Sequence, residues 1–150
     1  MPESNAPARI LIGKKFFQQI EENILGEDSL KMVYENFISP LKAGNQTAHL
    51  PGKYKPSWEI NATSKVMMQV ALVSQAKTHN LYHYHFGYPE YKAGRDPHYP
   101  GQESAGIVHT SIRYPDGIED QHLVIQVDNS HPSPFRIPIP LELAEAGAIN

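Results

Sequence analysis

Histidine gathers in the second half of this chain: of eight histidines in 150 residues, seven lie between His79 and His131. Their spacing suggests chemistry. Runs of β-type residues at Leu81–Phe86, Ala105–Arg113 and His122–Asp128 predict three strands, and alternate residues of a strand point to opposite faces. Alternation sends His83 and His85, then His109, Ser111 and Arg113, then Gln126 and Asp128 to one side. Tyr82, Tyr84 and Phe86, then Val108 and Ile112, then Leu123, Ile125 and Val127 take the other. A sheet with one apolar face leaves its second face to water or a ligand. The expectation is a water-facing surface rich in imidazole.

Histidine both takes and gives a proton near neutral pH. Metal-independent RNA cleavage needs such groups: a base for the attacking 2′-hydroxyl, an acid for the departing 5′-oxygen, and a cation for the phosphoryl charge. His85 and His109, on neighbouring strands, suit the base and the acid, with His83 beside them. Arg113 or Arg136 offers a bidentate fork for the phosphate. His131, just past the third strand, is placed to curl back over its end. Tyr88 and Tyr91, next to Lys92 and Arg95, suit base stacking and backbone neutralisation. His79 and His98 fall in turns and are incidental. For any one histidine a structural role, half-buried among tyrosines, competes evenly. The convergence of three strands on one face is what argues for function.

A metal offers a second chemistry. His83-Tyr84-His85-Phe86-Gly87-Tyr88-Pro89-Glu90 has HxHxxxxE spacing, and with His122 it gives the candidate ligand set His83, His85, Glu90 and His122. The spacing resembles the first metal-binding motif of cupin barrels, which implies Fe, Mn, Ni or Zn. Lys77 stands where that motif has a glycine, and the first half of the chain reads as helical, so this reading ranks second.

The rest of the chain supplies the scaffold. Ile10–Ile12 reads as a short strand. Phe16, Phe17, Ile20 and Ile24 predict a helix over Lys14–Ile24, ended by Gly26, and Leu30, Val33, Tyr34 and Phe37 predict another over Asp28–Ser39, stopped at Pro40. Lys42–Trp58 reads as a long connection. Ser64–Ala76 suits a third helix, although Val66–Val73 also passes as a buried strand. Tyr88–Glu103 is a Pro/Gly-rich excursion, and Pro115-Asp116-Gly117 marks a turn. Prolines 132, 134, 138 and 140 leave room for no more than an edge strand at Phe135–Ile139. The class is α+β: a helical hairpin packed on a curved antiparallel sheet, as one domain over 1–150.

Composition narrows the options. No apolar run approaches the ~20 residues of a membrane helix, and the N-terminus lacks a secretory pattern, so a cytoplasmic protein with no membrane partner is expected. The absence of cysteine excludes disulfides and thiolate metal sites. The net charge is −3, yet Lys42 to Arg95 holds seven basic residues against two acidic ones. That asymmetry permits a local basic patch.

A strand, a helical hairpin, then a sheet opening on the H-x-H strand Leu81-Tyr82-His83-Tyr84-His85-Phe86 resembles the RelE superfamily of bacterial toxins. The YafO-type toxins are nearest. The likeness continues through Gly106–Tyr114, His122–Val127 and Asn129–Arg136. It implies an endoribonuclease that needs no cofactor, cleaves mRNA, ribosome-bound mRNA included, and is held inactive by a cognate antitoxin. Its site would draw on His83, His85, His109, Arg113, His131 and Arg136. A third class also stands: a non-enzymatic immunity or antitoxin-type protein whose acidic balance suits a basic partner.

Overall fold

The computed structural model describes residues 8–59, 67–94, 99–113, 121–129 and 143–144, with the backbone alone at 67–70. β1 (Arg9–Ile12) leads directly into α1 (Lys14–Glu21), and α2 follows at Glu27–Val33. The second helix does not stop at Pro40. It passes through a wide π turn at Tyr34–Ile38 into α3 (Ser39–Lys42). Proline has no N–H for the carbonyl four residues earlier, which here is Asn36. The Asn36 carbonyl instead accepts the Tyr84 hydroxyl at 2.9 Å.

The segment Lys42–Trp58 is not all loop. It contains a 3₁₀ turn at Thr47–His49 and a strand, β2 (Tyr54–Pro56). The ambiguous segment after it is a helix, α4 (Met67–Thr78), followed by β3 (Leu81–His85), β4 (Ile107–Arg113) and β5 (Gln121–Asp128). The fold is α+β, with five strands in the order β1-β5-β4-β3-β2. The sheet is open and mixed rather than purely antiparallel, because β1 runs parallel to β5. The expected edge strand at Phe135–Ile139 and the turn at Pro115–Gly117 lie outside the described residues. Among those described, no helix is long and apolar enough to cross a membrane.

Both faces of the sheet are covered. On one, α1, α2 and the helical run to Leu41 bring Phe16, Val33, Phe37 and Leu41 against Tyr84, Val108, Val124 and Val127. Phe37, with no exposed surface, sits edge-on to Tyr54 at 5.4 Å and tilted over Tyr84 at 5.0 Å. Burying such a ring contributes about 1.5–3 kcal/mol. On the other face, Ala76 of α4 joins Leu81, Ile125 and Leu143, with Trp58, Leu72 and Val73 packed around them. Because α4 lies between β2 and β3 in the chain, it can close the side that the first helices leave open.

Candidate functional site

The histidines of β3 and β4 share a face, as alternation requires. His83 pairs with His109, and His109 with Gln126; on the far side His83 pairs with Lys55. The next rung joins His85, Ile107 and Asp128. Tyr54 belongs to the aromatic core, so Lys53 and Lys55, its strand neighbours, turn toward the histidine side. The His83 and His85 rings meet edge to face at 5.7 Å.

Alternation fails in the first half of β5. His109 pairs with Gln126 but Thr110 pairs with Val124, which leaves Ile125 as an extra residue. Such a bulge reverses the facing of everything before it. Gln126 and Asp128 keep the expected side. Leu123, expected on the apolar face, pairs with Ser111 on the histidine side, and Ile125 packs with Ala76 and Leu81. Val124 and His122 turn into the aromatic core instead.

The expected water-facing surface is in fact sealed. His83, His85 and His109 are 3%, 6% and 2% exposed. On this face α4, Trp58 and Leu143 pack against Leu81 and Ile125, a second layer that a strand pattern alone does not reveal. Imidazoles enclosed in this way need hydrogen-bond partners, and they have them. His83 Nδ1 lies 3.0 Å from the Ser57 hydroxyl. His85 Nδ1 lies 2.7 Å from the Ser104 carbonyl oxygen and 3.0 Å from the Ser104 amide nitrogen. One ring nitrogen makes one of these bonds at a time, donating to the carbonyl when protonated or accepting from the amide when bare. Ser104 is itself fixed, donating to the Gly106 carbonyl and accepting from the Gly87 amide.

His109 differs. Its Nε2 meets Asp128 Oδ2 at 2.9 Å, and the carboxylate is 34% exposed. A carboxylate on one ring nitrogen orients the imidazole, as in acid–base dyads. Beside it, Gln126 is 2% exposed and its Oε1 has no hydrogen-bond partner among the described residues. His109 combines a carboxylate partner with a path to the surface through that partner.

The other candidates are distributed around this pair. Arg113 lies four residues along β4 from His109, about 13 Å away at ~3.3 Å per residue, and pairs with Gln121 at the opposite end. Tyr88 is half-buried and its ring stacks on Phe86 at 6.3 Å. Tyr91 is also half-buried and donates its hydroxyl to the His85 carbonyl at 2.9 Å, so both rings are committed to packing. Lys92 is exposed, and its backbone pairs with Glu103. Arg95, His131 and Arg136 lie outside the described residues.

The proposed ligand set does not assemble. His122 faces the aromatic core, its ring 5.7 Å from Tyr54 and 6.2 Å from Phe37, across the sheet from His83 and His85. Its Nδ1 lies 2.9 Å from the Tyr54 hydroxyl, and burial lowers its pKa to about 4. Glu90 is exposed beyond β3. Among the described residues no group of three His, Asp or Glu side chains is arranged to hold one metal ion.

Sequence reasoning missed Lys53, Ser57, Glu103 and Ser104. Lys53 is 2% exposed and its Nζ meets Glu103 at 2.6 Å, while its backbone carbonyl accepts the His85 amide. The excursion folds back here: Gln102 bonds across to Pro51 and Lys53. Contact is close enough that a Cβ on Gly52 would fall 1.8 Å from the His85 carbonyl oxygen. Gly52 stands beside Lys53 and Gly101 two residues before Glu103, but the two glycines are far apart in the chain and their meeting leaves no local signal. Under the same packing, burial raises the Tyr84 hydroxyl far above the ordinary phenol range, with Tyr91 adding to it, and burial also raises Tyr91. Comparison of the chain with known protein families, with curated proteins and with solved structures returned no match.

Proposed function

We propose that this chain is a metal-independent endoribonuclease of RelE-like architecture, with RNA, ribosome-bound mRNA included, as substrate and a cognate antitoxin as its restraining partner. The observation that carries the reading is the His109–Asp128 pair, set beside His83 and His85 on one sheet face. The element order supports it too: a first strand, helices on one face, then consecutive antiparallel strands that end parallel to the first. In the proposed reaction His109, oriented by Asp128, takes the 2′-hydroxyl proton. The 2′-oxygen attacks phosphorus, the P–O5′ bond breaks, and His85 protonates the 5′-oxygen. The products are a 2′,3′-cyclic phosphate and a 5′-hydroxyl. Arg113 is too distant to meet the phosphate at this pair, and Lys53, on the rung of His85, is held by Glu103.

The test is incubation with RNA, free and on ribosomes, in excess chelator. Cleavage is expected to persist, to leave cyclic-phosphate ends, and to fall by about 10²–10⁴-fold in His109→Ala. Asp128→Asn is expected to fall less. Chelator-sensitive cleavage restored by a metal overturns the mechanism.

A second reading rests on the burial of the three imidazoles to 6% exposure or less. Under it the protein is a non-enzymatic immunity or antitoxin-type binder and the histidines are structural. Expression in a bacterial host separates the two: the nuclease arrests growth, whereas the binder is harmless and rescues cells from its target.

A further inference from the structure

The outer edge of the sheet carries an apolar strip that the histidine site does not use. β1 pairs with the first half of β5, and among the described residues no strand pairs with its other edge. α1 continues along the same border. The Gly13 amide donates to the Val124 carbonyl at 2.8 Å, and the Gln19 side chain bonds both backbone groups of Val127 at 2.8 and 2.9 Å. From this border Leu11, Ile12, Phe17, Ile20 and Ile24 show 38%, 43%, 53%, 39% and 61% of their surface to solvent. Single exposed apolar residues are ordinary, but several along one border mark an interaction surface.

The charges around the row indicate what covers it. Lys14 and Glu21, both exposed, open and close α1, which has no acid in its first turn and no base in its last. This is the reverse of what the helix dipole favours, a preference worth about 0.3–1 kcal/mol per charge. Lys14, Phe17 and Glu21 recur at spacings of three and four and so share one side of the helix, which ends before Ile24. Outward from Phe17–Gln18 that side is self-complementary: Lys14 is mirrored by Glu21. Only a surface that matches itself under a two-fold rotation has this property, and it is what an isologous dimer contact requires.

We propose that this strip is a homodimer interface in which α1 lies antiparallel on α1 of a second copy. Phe17 meets its counterpart at the axis and Lys14 faces Glu21 of the other chain twice. Each lysine then sits near the C-terminal end of the neighbouring helix and each glutamate near its N-terminal end, which corrects the dipole mismatch. α1 is about 12 Å long at 1.5 Å per residue, so the contact is smaller than a standard interface and the dimer dissociates on dilution.

Sedimentation of the full chain over about 1–100 μM tests this, with a dimer fraction expected to rise with concentration. Lys14→Glu and Glu21→Lys each set like charges against each other and are expected to weaken the dimer by about tenfold or more. Mixing these two variants is expected to restore a heterodimer, because each reversed charge then meets an opposite one. Phe17→Asp is expected to be monomeric with an unchanged circular dichroism spectrum. A wild-type chain that stays monomeric at about 100 μM overturns the proposal. So do charge variants that dimerise like the wild type, or a mixture that does not recover.

Discussion

His122 ties stability to pH in a way that can be worked through. The ring has no exposed surface, and burial lowers its pKa from the ordinary 6.5 to about 4. An unfolded chain protonates this histidine near 6.5, whereas the folded chain resists until about pH 4. Between those values the unfolded state binds the extra proton, so stability falls as pH drops. The slope approaches 1.4 kcal/mol per pH unit and levels off below the folded pKa, for a total loss of about 3 kcal/mol. Above pH 6.5 the group contributes no pH dependence. Urea unfolding at pH 7, 6, 5 and 4 should be compared in wild type and His122→Phe, which keeps an aromatic ring beside Phe37 and Tyr54. All other titrating groups are common to both proteins and cancel. The wild type is expected to lose about 3 kcal/mol more than the variant between pH 7 and 4. Parallel loss in the two proteins refutes the reasoning.

Three further outcomes rest on single contacts. Gln19→Leu removes both partners of the Val127 backbone and is expected to cost about 2–4 kcal/mol in urea unfolding, since each buried group left unsatisfied costs ~1–3 kcal/mol. Gly101→Ala places a Cβ 2.5 Å from the Gly52 carbonyl carbon at φ +109°, whereas Gly26→Ala, at φ +87°, meets nothing within 4 Å. The first should lower the melting temperature well beyond the second, for which backbone strain of about 1 kcal/mol is the whole cost. Glu103→Gln leaves the buried Lys53 ammonium without its carboxylate and is expected to destabilise by about 2–3 kcal/mol, discounted because Glu103 is a third exposed. Adding Lys53→Met should recover part of that loss in the same denaturation assay.

Sequence alone settled the local pattern. Period-two alternation put His83, His85 and His109 on one face, and three- and four-residue spacing located α1 and α2, because both follow from backbone geometry between near neighbours. Tertiary structure decided the rest. Nothing in β3 or β4 tells that α4 packs on the histidine side or that the expected wet surface is a sealed layer. The apolar run Leu123-Val124-Ile125 did hint that both faces were covered, but only the cross-strand register reveals the bulge that sends His122 to the core. The pairing of β1 with β5 and the meeting of Lys53 with Glu103 join segments far apart in the chain. Such contacts depend on how whole elements pack, and no local spacing encodes them.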